Sequence, residues 1–156
     1  VGIDVDIRAH NRKKIKSHTY SKNINLIQGN SIAQSTIKKL EIVLKSSKIK
    51  NKKIMVCLDS NHTHDHVFQE LKKYSNFVSK NCYLVVFDTT LNLLSAGKFK
   101  SLTKDYLFKP LDKSSNPHTA IKAFMLENKN FKIDINHHKK AAITNCYDGF
   151  LKRVKR

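Results

Sequence analysis

The sequence predicts an α/β fold: a mostly parallel sheet with helical crossovers and an antiparallel hairpin at its C-terminal edge. Two apolar runs carry this prediction. Ile54-Met55-Val56-Cys57-Leu58 and Tyr83-Leu84-Val85-Val86-Phe87 are bounded by polar residues and end on Asp59 and Asp88, as buried parallel strands do. The segment between them has helical spacing, and strands alternating with helices imply right-handed parallel crossovers. With 156 residues the chain is read as one domain able to bury a core.

In order, residues 1–7 read as a strand and 11–18 as a short helix rich in lysine. Residues 24–28 form the next strand, closed by Gly29. A helix follows over 31–47, with Ile32, Ile37, Leu40, Val43 and Leu44 at helical spacing. Residues 53–58 are a strand. Residues 63–79 are a helix with Val67, Leu71, Tyr74 and Val78 on one stripe, and 82–87 the fourth strand. Residues 91–116, with Gly97, Pro110 and weak periodicity, break the rhythm and read as a lid or insertion. Asn116 and Pro117 open a helix as N-cap and first helical residue, running to about residue 128. Residues 131–136 and 141–144 are the last strands. Their short link, 137–140, favours an antiparallel pair, and a basic tail follows.

Composition narrows the function classes. No apolar run is long enough to span a bilayer, and these residues show no secretory n-region and h-region, although a targeting signal could lie upstream of Val1; a cytoplasmic setting is the expectation. Cys57, Cys82 and Cys146, with no C-x-x-C spacing, read as unreactive core thiols in a reducing compartment. The net charge of +18 suggests a nucleic-acid binder. However, only Arg8, Arg12, Arg153 and Arg156 of the 30 basic residues are arginine, and the lysines are spread over every helix. A solvated lysine surface is the better reading, because lysine is the weaker residue for bidentate phosphate or base contacts.

Asp59 and Asp88 are the leading site candidates. Open α/β sheets bind ligands beyond the C-terminal ends of their strands, and two carboxylates there could converge on a cation. His62, three residues after Asp59, could face the same crevice. Asp4 ends the first strand, where a carboxylate can accept hydrogen bonds from a ribose diol. Asn30 and Ser31 follow the second strand and can equally cap the next helix. His64 and His66 extend the histidine run, but without the glutamate of H-E-x-x-H they make a poor zinc signature. No 2-His-1-carboxylate site for iron is evident.

Four segments occur in order: Gly2-Ile3-Asp4-Val5-Asp6-Ile7-Arg8, Leu58-Asp59-Ser60-Asn61-His62-Thr63-His64, Leu84-Val85-Val86-Phe87-Asp88-Thr89 and Asn116-Pro117-His118-Thr119-Ala120. Together they resemble the cephalosporin hydroxylase family, which has the Rossmann-like fold of S-adenosylmethionine-dependent methyltransferases and includes rhamnosyl O-methyltransferases. The resemblance implies that Asp4, and less directly Asp6, meets the cofactor ribose. Asn30 and Ser31 would lie along the adenine. It further implies a magnesium ion on Asp59 and Asp88, with Thr89 as a weaker ligand where relatives carry a carboxylate or amide. His62 would be the base, at the position of a catalytic lysine in catechol-type enzymes. The glycine-rich loop of such folds is missing, as is the strand before it, so the chain is expected to start at the second strand of the sheet.

The implied activity is methyl transfer to a sugar hydroxyl in polysaccharide or secondary-metabolite biosynthesis, by a protein able to form a homo-oligomer. The alternative is an inactive basic binding module that keeps the fold. A nucleic-acid methyltransferase is disfavoured, because Phe87-Asp88-Thr89-Thr90 is not of the Asn/Asp-Pro-Pro-Tyr/Phe type.

Overall fold

The computed structural model describes residues 1–141 and 143–155. They form a mixed α/β structure in two compact units, residues 1–50 and residues from 51 onward. No described helix is long and apolar enough to cross a membrane.

In the first unit, β1 (Gly2–Asp4) pairs in parallel with β2 (Leu26–Gln28), Asp4 standing opposite Gln28. The strand expected over 1–7 stops at Asp4, because Asp4 Oδ1 accepts the Asp6 N–H at 2.9 Å and turns the chain. Helix α1 (Ala9–Ser17) buries no residue and carries Arg12, Lys13, Lys14 and Lys16. Helix α2 (Gln34–Ser46) buries Thr36, Ile37 and Leu40. Its N-cap is Ala33, without a side-chain cap. Asn30 instead closes a turn by accepting the Ile32 N–H at 3.1 Å. Gly29 has φ +157°, and a Cβ there would meet Thr36 Oγ1 at 2.4 Å, so the turn from β2 toward α2 requires glycine.

In the second unit the strand order is β3-β4-β6-β5. β3 (Val56–Leu58) runs parallel to β4 (Tyr83–Val86); β6 (Phe150–Arg153) is antiparallel to both β4 and β5 (Phe131–Ile133). Helix α3 (His64–Tyr74) packs along α5 (Pro117–Glu127). The predicted stripe Val67, Leu71, Tyr74 and Val78 is buried throughout. Asn116 caps α5 as expected: its Oδ1 accepts the His118 and Thr119 N–H groups, and the Thr119 hydroxyl accepts the Asn116 N–H.

Three expectations need correction. Residues 135–141 form helix α6 (Ile135–Ala141) rather than a hairpin link. It starts where Asp134 Oδ1 accepts the Asn136 N–H at 3.1 Å. No strand forms over the described part of 141–144, and Ala142 lies outside the described residues. The last strand is instead the basic stretch Phe150–Arg153, inserted between β4 and β5. Leu151 is fully buried opposite Leu84 and Ile133. The charges beside it find partners. Lys152 lies over the Tyr83 ring, and the Arg153 guanidinium donates to the Ser75 and Val78 carbonyls at 2.9 and 2.8 Å. Parallel and antiparallel pairings are therefore equal in number among the described strands.

Residues 91–116 are also more regular than expected. They contain helix α4 (Ala96–Thr103), which buries Phe99 and Thr103, and Leu111 is buried further on. Finally, the run before Asp59 is not buried on both faces. Ile54, Val56 and Leu58 turn inward, whereas Met55 and Cys57 are exposed. Cys57 is thus not a core thiol; Cys146 is.

Candidate active site

β3 and β4 leave their sheet side by side: Leu58 pairs with Val86, and the Phe87 N–H donates to the Leu58 carbonyl at 3.0 Å. Asp59 and Asp88 therefore emerge at the same C-terminal end. Asp88 adopts a left-handed conformation, φ +55°, which turns the chain sharply as it leaves β4. Asn145 Nδ2 donates to its Oδ1 at 3.2 Å. The loop between β3 and α3 then turns His62 back. Its Nε2 lies 3.3 Å from Asp59 Oδ1 and 3.3 Å from Asp88 Oδ2. One ligand atom from each residue falls within 4.8 Å of the other two, the one such grouping found among the described residues. The side chains of Asp59, Asp88 and His62 are 59%, 36% and 18% exposed, so the cluster opens to solvent on the Asp59 side.

The loop is pinned at each step. Ser60 Oγ donates to Glu70 Oε1 at 2.7 Å, Glu70 being buried on α3. Asn61 Oδ1 accepts the Thr63 N–H at 3.0 Å and hydroxyl at 2.9 Å. The His62 N–H donates to Tyr106 Oη at 2.8 Å, and the two rings stack at 6.0 Å and 11°. Burial raises the Tyr106 phenol above the ordinary tyrosine value. The Asp88 and Asp59 charges push the same way, against the hydrogen bond from His62.

Of the sequence candidates, Asp59, His62 and Asp88 come together. Thr89 does not join them. It is fully buried, and its hydroxyl donates to the Asn145 carbonyl at 3.2 Å. The histidine run does not assemble a zinc site. His64 Nδ1 meets Thr119 Oγ1 at 2.9 Å, and His66 Nε2 lies 3.5 Å from Glu70 Oε1. Tyr106 and Asn145 are site residues that no local pattern marks, since each reaches its partner across a long stretch of chain. In the first unit, Asp4 is exposed at the end of β1 beside the Gly29-Asn30-Ser31 turn, its carbonyl accepting the Gly29 N–H at 2.9 Å. Asp6 is exposed and lies 3.8 Å from Arg8 Nε.

Two carboxylates close together repel when both are ionised, and a divalent cation or a proton shared through His62 relieves that repulsion. Hard carboxylate oxygens suit magnesium, so the donor set fits such an ion. The exposed strand-end carboxylate of Asp4 equally fits a hydroxyl-bearing cofactor.

A family model described as rhamnosyl O-methyltransferase/CmcI matches residues 1–154, across both compact units. No curated protein matches the chain, and no solved structure matches it.

Proposed function

This chain belongs to the rhamnosyl O-methyltransferase/CmcI family of O-methyltransferases, and on that premise we propose that it transfers the methyl group of S-adenosylmethionine to a sugar hydroxyl. The observation that carries the reading is the convergence of Asp59, His62 and Asp88 at the ends of two parallel strands. In the transfer, a new C–O bond forms as the sulfonium S–CH3 bond breaks, its electron pair remaining on sulfur. The acceptor hydroxyl must lose its proton, and His62 takes it at the other ring nitrogen, because Nε2 faces both carboxylates and carries its own proton toward them. Asp59 and Asp88 would hold magnesium, which when bound lowers the acceptor hydroxyl's pKa and orients its oxygen. Asn145 keeps Asp88 turned toward the cluster. In the first unit Asp4, flanked by Asp6, accepts the ribose hydroxyls, and Asn30 and Ser31 border the adenine. A match spanning both units supports reading them as one methyltransferase domain.

Calorimetry with S-adenosylmethionine, with and without magnesium, tests this together with turnover of His62→Ala. The variant should keep metal and cofactor affinity and lose about 10²–10⁴-fold in turnover. Normal turnover would remove His62 as the base. Full activity in excess chelator would remove the metal.

A further inference from the structure

Tyr106 has no role in the chemistry above, yet it borders the cluster. Its oxygen accepts the His62 N–H at 2.8 Å, and its ring lies parallel to the imidazole. A phenol that accepts still has its own proton to donate, and the Tyr106 proton has no acceptor among the described residues. The imidazole it stacks on holds its Nε2 3.3 Å from both carboxylates, so the phenol stands beside the cluster, one residue removed from Asp59 and Asp88. The two residues that follow are apolar and open. Leu107 is 88% exposed, and Phe108 is exposed and packs edge-on against Tyr106 at 5.8 Å.

A free donor beside an apolar step is the arrangement needed by a ligand that is hydroxylated on one edge and carries C–H groups on a face. We propose that Tyr106 binds the methyl acceptor: its O–H donates to a hydroxyl oxygen of a deoxysugar ring, while Leu107 and Phe108 take the ring's C–H face. Tyr106 is thereby a specificity residue carried by the segment that follows α4. The inference rests on the sugar O-methyltransferase reading.

The probe is p-nitrophenyl α-L-rhamnoside with the full chain. Binding is followed by saturation-transfer NMR and methylation with labelled S-adenosylmethionine. Tyr106→Phe keeps the ring and removes only the hydroxyl. It should weaken glycoside binding about fivefold or more and raise KM to match. Leu107→Ser/Phe108→Ser should also weaken glycoside binding, and cofactor affinity should stay unchanged in both variants. If Tyr106 merely positioned His62, kcat would fall while glycoside affinity held, and that result overturns the proposal. So does a wild-type chain that does not bind the glycoside. Wild-type binding that is lost in Tyr106→Phe, without any methyl transfer, would leave the sugar site standing and remove the transfer reading instead.

Discussion

β3 and β4 run side by side and each delivers an aspartate to one cluster, yet they are buried unequally. β4 is closed on both faces, with Leu84, Val85 and Val86 all buried and β6 paired along its far side. Among the described strands β3 pairs only with β4, and Met55 and Cys57 along its run face outward. The carboxylates inherit the contrast. Asp88 is fixed in a left-handed turn and held by Asn145. Asp59 is the more exposed, and its neighbours, rather than its strand, fix its loop through Glu70 and Tyr106. Convergence at a parallel strand pair thus needs only one rigid member. The second carboxylate can be set by a loop and adjusted without disturbing the core.

The largest effect should come from the strands themselves. Leu84→Ala should cost about 2–5 kcal/mol, and Met55→Ala, at an exposed position, no more than about 0.5 kcal/mol. Denaturant titration measures both, and equal losses would mean that β3 is as enclosed as β4. A smaller effect should lie on α3, the crossover between the two strands. Burial, and then the Glu70 charge, push the Tyr74 phenol up to about 12. An unfolded tyrosine ionises near pH 10. The stability Tyr74 contributes is therefore complete below about pH 10 and lost as pH rises toward 12. Tyr74→Phe should flatten that alkaline limb in thermal melts, and an unchanged limb would assign it to other groups. The smallest effect separates the two aspartates. Glycine relieves the left-handed strain at Asp88 and relieves none at Asp59, so Asp88→Gly should end about 1 kcal/mol more stable than Asp59→Gly, although both lose a cation ligand. The reverse order in metal-free melts would mean that the Asn145 bond outweighs the strain.

The sequence makes some of this legible. A proline after an asparagine announces the start of α5, because both act within one helical turn. The α3 stripe is visible because its period matches the helix. Asp59, His62 and Asp88 could be paired on paper, since strand ends and a three-residue spacing are local facts. Asn145 and Tyr106 could not, because they act across 57 and 44 residues of chain. β6 was hidden for another reason. Its lysine and arginine look like a solvated tail until the Tyr83 ring and the carbonyls of 75 and 78 are in place to receive them. Cys57 is not legible as exposed, because a continuous apolar run does not reveal that one face of its strand, the face of Met55 and Cys57, is left uncovered.

The insertion of β6 between β4 and β5 also bears on how the molecule is made. β6 comes last in chain order but sits inside its sheet. While a ribosome is still adding residues 150–153, β4 and β5 cannot be joined, and β4 presents an unpaired, apolar edge. Such pairings, between residues far apart in sequence, form late and slowly, and unpaired edges invite association with other chains. The second unit can therefore complete its sheet only after synthesis has passed Arg153, and a nascent chain halted short of that point keeps the sticky edge of β4 uncovered.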